Sequence, residues 1–580
     1  MKKWETINKS KIKNQKSKID EVIKILLDNR GLKTKKDIEE FLNPKLEDVA
    51  IKSVGIDKRQ LGKAIDRIQK AIKNKEQVIV FGDYDVDGIC GTAILWETLN
   101  NLGAKATPYI PHRIEEGYGL STKGISNVKS QISNVKLIIT VDNGIVASEA
   151  VEFANKQGMD VIITDHHVPS RKLPKAYAIV HTTKLCGAGV AYMLSHEIKN
   201  QKSKIKNKGD EDNHLELVAL ATVADLVPLI GVNRTLLVHG LKQLRKTKRA
   251  GLLELCKEAV INPQDIDVYK IGHMIAPRLN AMGRLEYAMD SLRLLCTTNK
   301  KRAEDLARLL GTTNRERQQL TMETVEHAVS EVRGQKSEVR KLLFISSESY
   351  QQGVIGLVAG RLVEEFYRPA IVVSKGKKYS KASARSVHGF NIIEFIRSAS
   401  EFLVDAGGHP MAAGFTVETE KLSILQKTLE SLAEKTLDKE KLTRTLRIDC
   451  EIPLSIISHN LYDEIAKLAP FGMKNPEPTF VSKNVIIEDM RVVGREGKHI
   501  KLLLSCHPER SEGSQLDSSP STSARGQNDN IVFDGIGFGM GERAQEFHIG
   551  DKVDIVYTID ENEWNGDKKL QLKVKDLRVL

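Results

Sequence analysis

Four short stretches carry aspartate at or just past the end of an apolar, β-branched run: GDYDVDG (82–88), VDNG (141–144), TDHH (164–167) and ATVAD (221–225). They supply Asp83, Asp85, Asp87, Asp142, Asp165, His166, His167 and Asp225. Unpaired carboxylates brought together repel one another, so cations are the natural reason for such a collection. Carboxylates with imidazoles suit Mn2+ or Mg2+, the histidine favouring Mn2+, and Zn2+ takes similar ligands. Two ions about 4 Å apart would activate water and neutralise the charge that builds on a phosphorus during in-line attack. That chemistry is phosphoester hydrolysis.

GDYDVDG places three carboxylates at i, i+2 and i+4 directly after an apolar strand. If the extended conformation continues, all three point the same way. Gly88 then starts a helix whose positive end favours anions, including a substrate phosphate. A polar turn with aspartate caps is the plainer alternative. Three further acid-bearing strand ends weigh against it.

The elements that must position these groups follow from the apolar pattern. QVIVFG (77–82) is a β-run followed by a helix-like GICGTAILWETLNNLG; then come ATPYIP, KLIITV (136–141), a helix near 147–157, DVIIT (160–164) and YAIVH. This alternation predicts a doubly wound, parallel-sheet α/β domain over 37–300, with its crevice at the carboxyl ends of the strands. A long connecting helix is expected over 301–335. A second, smaller α/β domain follows at 341–440, with KLLFIS and AIVVS as strands around GVIGLVAGRLVEEF. From 445 to 580 short alternating strands with turn signals, among them Asn565-Gly566, read as a small β-barrel. Residues 506–530 have almost nothing to bury and read as a disordered excursion from a hairpin. The repeated KNQKSKI (13–19 and 199–205) is too short for a solenoid and reads as surface loop.

The chain has 580 residues, enough for several domains, with 41% hydrophobic and 28% charged residues, as in globular proteins. No apolar run approaches the roughly 20 residues of a membrane span. The N-terminus has lysines but no apolar core of a secretory signal. Six scattered cysteines without a CxxC pair read as reduced thiols, so a cytoplasmic setting is expected. The formal charge of +12 suggests nucleic acid, but residues 1–36 alone hold twelve basic residues against four acidic ones. That segment reads as a basic tail with a first helix, and a lysine-rich tail is more often solvated than binding.

TDHHVP, taken with DYDVDG, VDNG and ATVADLVPL, resembles the DHH phosphoesterase superfamily. IAPRLNAMGRL (275–285), SARSVHGFNI (383–392), AGGHPMAAGF (406–415) and APFGMKNPEPTF (469–480) are similar to its single-strand-specific exonuclease branch. The similarity covers about 40–580 apart from the polar insertions. It implies that Asp83, Asp85, Asp87, Asp142, His166 and Asp225 hold two ions, Mn2+ or Mg2+. Asp85, Asp142, His166 and His167 would carry catalysis, with His167 near the scissile phosphate and Asp165 supporting a histidine from behind. Arg278, Asn280 and Arg284 would face nucleic acid. Ser383, Arg385 and Ser386 would donate to phosphate oxygens, and Gly407, Gly408 and His409 would form a close-approach substrate loop. The terminal barrel resembles an oligonucleotide-binding (OB) fold; Phe471, Phe480 and Trp564 are its candidate stacking aromatics, though core packing is their commoner role. The activity implied is 5′→3′ exonuclease action on single-stranded DNA in repair and recombination. The protein would act as a monomer, with a single-strand-binding protein as partner. The alternative is an oligonucleotide or dinucleotide phosphodiesterase of the same superfamily. A non-enzymatic scaffold would have lost metal acids, and none is missing here. One departure is VHTTKLCGAGVAY (180–192), which runs almost directly from strand into CGAG where related chains carry a longer loop.

Overall fold

The structure, a computed structural model, describes residues 2–8, 18–113, 115–202, 214–334, 340–506, 531–564 and 567–580. They cluster into two compact units, one of residues 44–443 and the other of 1–43 with 444–580.

The larger unit begins with an all-parallel sheet. Its strands are β1 (Gln77–Phe81), β2 (Lys105–Tyr109), β3 (Val135–Val141), β4 (Asp160–Asp165) and β5 (Ala178–His181), in spatial order β2-β1-β3-β4-β5. β1, β3 and β4 are nearly continuous runs of Val, Ile and Leu, as strands buried on both faces must be. Val78, Val80, Leu137, Ile139 and Ile162 pack into one core, and Ile79, Phe81, Ile138, Val161 and Ile163 into another on the opposite face. The order switches direction at β1, so a crevice opens where β1 and β3 end, which is where Asp83 and Asp142 stand. Helices α1 (Val86–Asn101), α2 (Gly187–Lys202) and α3 (Leu215–Ala224) pack together beside it.

Helix α4 (Ala276–Leu285) leads to the proline-free helix α5 (Lys300–Gly334), 35 residues or about 50 Å long. A second sheet follows: β6 (Leu343–Ser347), β7 (Ala370–Ser374), β8 (Tyr379–Arg385), β9 (Leu403–His409) and β10 (Ala412–Glu418), ordered β9-β10-β8-β7-β6. Only β6 and β7 run parallel; the other pairs are antiparallel. Helix α6 (Ile355–Phe366) covers Ala370 and Val372 on one face, and Leu425 and Leu429 cover the other.

In the other unit, β11 (Phe480–Val493), β12 (His499–Cys506), β13 (Ile531–Gly537), β14 (Lys552–Trp564) and β15 (Asp567–Val579) are ordered β11-β12-β13-β15-β14. The pairing of β11 with β14 closes them into a barrel. Phe480 is wholly buried in its core and Phe471 packs against that core, so Phe480 offers no stacking face. The Trp564 side chain and most of the 506–530 insertion lie outside the described residues, while β12 and β13 pair on either side of that insertion, Cys506 opposite Ile531.

The N-terminus departs from the expected solvated tail. Lys3–Thr6 forms a parallel pair with Thr445–Ile448, Trp4 donates to Asp576 at 2.7 Å, and the Arg578 guanidinium lies 4.0 Å from the Trp4 ring. Helix Lys18–Asn29 buries Val22, Ile25 and Leu26 in the core shared with the barrel. Its lysines had masked an apolar stripe. Among the described residues no helix is long and apolar enough to cross a membrane.

A candidate two-metal centre beside an arginine cluster

Asp83 follows β1 directly, but the backbone does not stay extended through GDYDVDG. Asp85 is the N-cap of α1, accepting from the Asp87 and Gly88 amides at 2.9 and 3.1 Å, and Asp87 lies in the first helical turn. The three acids therefore converge through a strand-to-helix turn, not through strand alternation. Gly88 permits this, because a Cβ there would lie 2.6 Å from the Asp83 nitrogen. The Asn280 side chain accepts from Val86 N–H at 3.0 Å and steadies the same turn.

Asp142 follows β3 at φ +64°, a strained setting for a residue other than glycine. Asn143 braces it: its side-chain amide donates to the Phe81 and Val141 carbonyls, and its oxygen accepts from Leu120 N–H. Asp87 accepts from the Gly187 and Ala188 amides at 2.6 and 2.7 Å, at the positive end of α2. A side chain at Gly187 would collide with Asp142, which explains the first glycine of CGAG. Asp225 caps the C-terminus of α3, so ATVAD is the end of a helix where a strand was expected. Short apolar runs of this kind fit either element. A carboxylate at the negative end of a helix is electrostatically out of place unless a cation meets it.

Ligand atoms of Asp83, Asp85 and Asp142 lie within 4.8 Å of one another, as do those of Asp87, His166 and Asp225, and those of Asp142, His166 and His167. Asp142 Oδ1 stands 3.1 Å from His166 Nε2, which is itself 3.6 Å from Asp87 and 3.7 Å from Asp225. Both Asp83 oxygens and Asp142 Oδ1 are buried without an aligned hydrogen bond among the described residues. Burial, then neighbouring carboxylates, raises Asp83 and Asp142 well above the carboxylate range, Asp87 to about 7 and Asp225 to about 9. Burial, then His167, lowers His166 to about 4, so it presents a neutral lone pair. Orphaned buried oxygens, mutual repulsion and a neutral imidazole fit two divalent cations.

Asp165 stands apart from these groups. It accepts from the His166 and His167 amides, from Ile145 N–H and, at 2.8 Å, from His167 Nδ1. The other His167 nitrogen meets the Tyr118 hydroxyl at 3.2 Å, and that hydroxyl donates to the Asp142 carbonyl at 3.0 Å. The His409 ring stacks on His167 with centroids 6.2 Å apart.

Beside the acids lies their electrostatic opposite. Arg284, Arg113, Arg317 and Arg385 are close enough that burial and then mutual repulsion lower Arg284 to about 10. Arg113 also rests on the Tyr84 ring, 5.0 Å from its centroid. Arg385 Nη1 donates to Ser383 Oγ at 3.3 Å, and Gly356, in the first turn of α6, leaves room for both. Guanidiniums gathered around small donors have the chemistry that binds a phosphate. Two expected members of the substrate set have partners within the chain. Arg278 is ion-paired with Glu258 at 2.6 Å, and the Ser386 hydroxyl donates to the Phe390 carbonyl at 2.6 Å. Arg113, Tyr118, Asn143 and Gly187 went unread in the sequence. For Arg113 the available signal was its place just past β2, the strand beside β1 at the sheet's switch point.

The chain matches the DHH family, N-terminal domain over residues 77–222, the DHHA1 domain over 339–435 and the RecJ OB domain over 448–514 and 522–576. It is 35% identical over 572 residues to the single-stranded-DNA-specific exonuclease RecJ of Bacillus subtilis, covering 97% of this chain and 68% of that one. With the enzyme of the same description from Thermus thermophilus it shares 30% over 565 residues, 95% of this chain and 74% of that one. The crystal structure of the Thermus thermophilus RecJ in complex with Mn2+ superimposes with a TM-score of 0.79 at 27% identity, over 99% of this chain and 79% of that one. The Mg2+ complex of the same protein gives 0.73 at 25% identity, over 99% and 78%.

Proposed function

Since the chain belongs to the RecJ family of DHH phosphoesterases, we propose that it is a metal-dependent exonuclease releasing nucleotides from the 5′ end of single-stranded DNA in repair and recombination. The observation that carries this reading is the adjacency of two opposite sites, a carboxylate centre with orphaned oxygens and a cluster of half-buried arginines. Asp83, Asp85, Asp87, Asp142, His166 and Asp225 would hold two Mn2+ or Mg2+ ions. When bound, the ions supply an activated water and neutralise charge on the phosphorus under attack.

The chain's own residues do the rest. Arg113, Arg284, Arg385 and Ser383 seat a terminal 5′ phosphate, which leaves the next phosphodiester at the metal centre and so sets the polarity. His167, held by Asp165 behind and Tyr118 in front, faces that phosphodiester beside His409. The barrel adds a binding surface for the strand beyond, and its presence weighs against a dinucleotide phosphodiesterase. A monomer working in the cytoplasm with a single-strand-binding protein completes the reading.

The test is digestion of 5′-labelled and 3′-labelled single strands with Mn2+, Mg2+ or a chelator. Early release of labelled mononucleotide from the 5′-labelled strand alone, abolished by chelation, is the expected result. Release first from the 3′ label, or turnover in chelator, overturns it.

A further inference from the structure

Among the described residues between Tyr109, the last residue of β2, and Leu120 there is neither helix nor strand, yet this segment carries Arg113 and Tyr118 to the site. Something must fix that segment. Its far end is tied by Leu120 N–H to Asn143. Its middle is tied by Glu116, whose Oε2 accepts from the Tyr109 hydroxyl at 2.7 Å and whose Oε1 accepts from His112 N–H at 3.0 Å. The Glu116 amide in turn donates to the His112 carbonyl at 2.8 Å. Tyr109 is itself anchored to the metal side, because its carbonyl accepts from Gly82 N–H, one residue before Asp83, at 2.9 Å. The next helix leaves space for this carboxylate: a Cβ on Gly124 would stand 3.2 Å from Glu116 Oε2 and 3.0 Å from the Phe81 ring. An acid on a surface turn ordinarily points into water; this one points inward and closes two bonds.

We propose that Glu116 is a positioning residue that staples the segment after β2, so that Arg113 stays in the phosphate cluster and Tyr118 stays against His167. It acts through those two side chains, and the inference rests on the reading of the arginine cluster as a seat for a terminal 5′ phosphate. Glutamine can replace the staple. Its carbonyl would still accept from His112 N–H, while the Tyr109 hydroxyl turns round to accept from the amide.

The test compares 5′-phosphorylated with 5′-hydroxyl single strands on the full-length protein in Mn2+. Wild type should favour the phosphorylated strand. In Glu116→Ala, KM for the phosphorylated strand should rise about tenfold, the value expected from losing a pair of partly buried hydrogen bonds, with KM for the hydroxyl strand nearly unmoved. Glu116→Gln should restore the preference. A preference kept in Glu116→Ala, or not restored in Glu116→Gln, overturns the inference while leaving the exonuclease reading intact. No preference in wild type removes the arginine reading and this inference with it. Should Glu116→Ala fail to fold, Tyr109→Phe deletes one of the two bonds, and an unchanged KM there overturns the inference equally.

Discussion

Gly408 and Gly414 answer to different demands within one sheet. Gly408 sits at φ +139°, and a Cβ there would lie 2.4 Å from the Ala412 carbonyl oxygen, so the backbone itself requires glycine. Gly414 pairs with Gly407 on one side and Ser383 on the other, and among the described residues nothing but the Ala382 oxygen, at 3.4 Å, comes near its missing Cβ. Glycine inside a strand costs roughly 0.5–1 kcal/mol against alanine. The next row on the same face, His409–Ala412–Arg385, carries residues of the proposed substrate site, so the bare backbone suits a ligand lying on it. Gly414→Ala should therefore melt no lower than wild type yet lose several-fold in kcat/KM; loss of both together would assign the glycine to packing. Asp142 gives a sharper case. Asn tolerates the left-handed backbone and removes a charge that its neighbours repel, so Asp142→Asn should melt higher than wild type in chelator while hydrolysing no strand. Near-normal turnover in that variant would end the two-metal reading. The clustering of these acids was legible because carboxylates after apolar runs have few other uses. Arg113 and Tyr118 were not, since an irregular segment has no period that tells which way a side chain points. Arg278 and Ser386 show the converse: membership of a motif does not say what a side chain touches.

At the scale of elements, the centre depends on two helices packed side by side, α1 bringing Asp85 and Asp87 and α3 bringing Asp225. A buried charge network joins them. Arg249 donates to Glu97 of α1 with two nitrogens, at 2.6 and 2.8 Å, and to Glu216 of α3 at 2.6 Å, while His214 meets Glu97 at 3.0 Å. Burial alone would raise Glu97, but Arg249 and His214 outweigh it and hold the carboxyl at about 2. A carboxyl depressed on folding stabilises the protein above its unfolded pKa, and that stabilisation fades as pH falls through the folded value. The gap in urea midpoint between wild type and Glu97→Gln should thus be constant above about pH 5, correspond to about 3 kcal/mol, and shrink steadily toward pH 2. A gap independent of pH would mean that the glutamine differs in packing alone. Alternation of strand and helix was readable across this domain. The helix ending in Asp225 was not, because a ten-residue apolar run carries no usable period.

At the scale of the whole molecule, the unit that contains the barrel is built from both ends of the chain. Lys3–Thr6 pairs with Thr445–Ile448 across more than four hundred residues, and no local pattern announces so distant a partner. This changes how the barrel's role must be tested. Cutting the chain before Asp449 would strip the buried face from helix Lys18–Asn29 and leave Val22, Ile25 and Leu26 in water. The cleaner dissection keeps residues 44–443, the other compact unit, which retains both the carboxylates and the arginines. That fragment should hydrolyse very short single strands at a rate close to that of the full chain, since such substrates never reach a second module. On long strands it should bind far more weakly, because a barrel of this kind adds stacking of about 1–3 kcal/mol per base along a groove several nucleotides long. Its affinity should also fall less steeply with salt, fewer phosphates being neutralised per bound strand. Fluorescence anisotropy on long strands across a salt series checks both. Equal affinity and equal slopes for fragment and full chain would mean that the barrel does not bind DNA, and that the carboxylate and arginine sites alone govern substrate length.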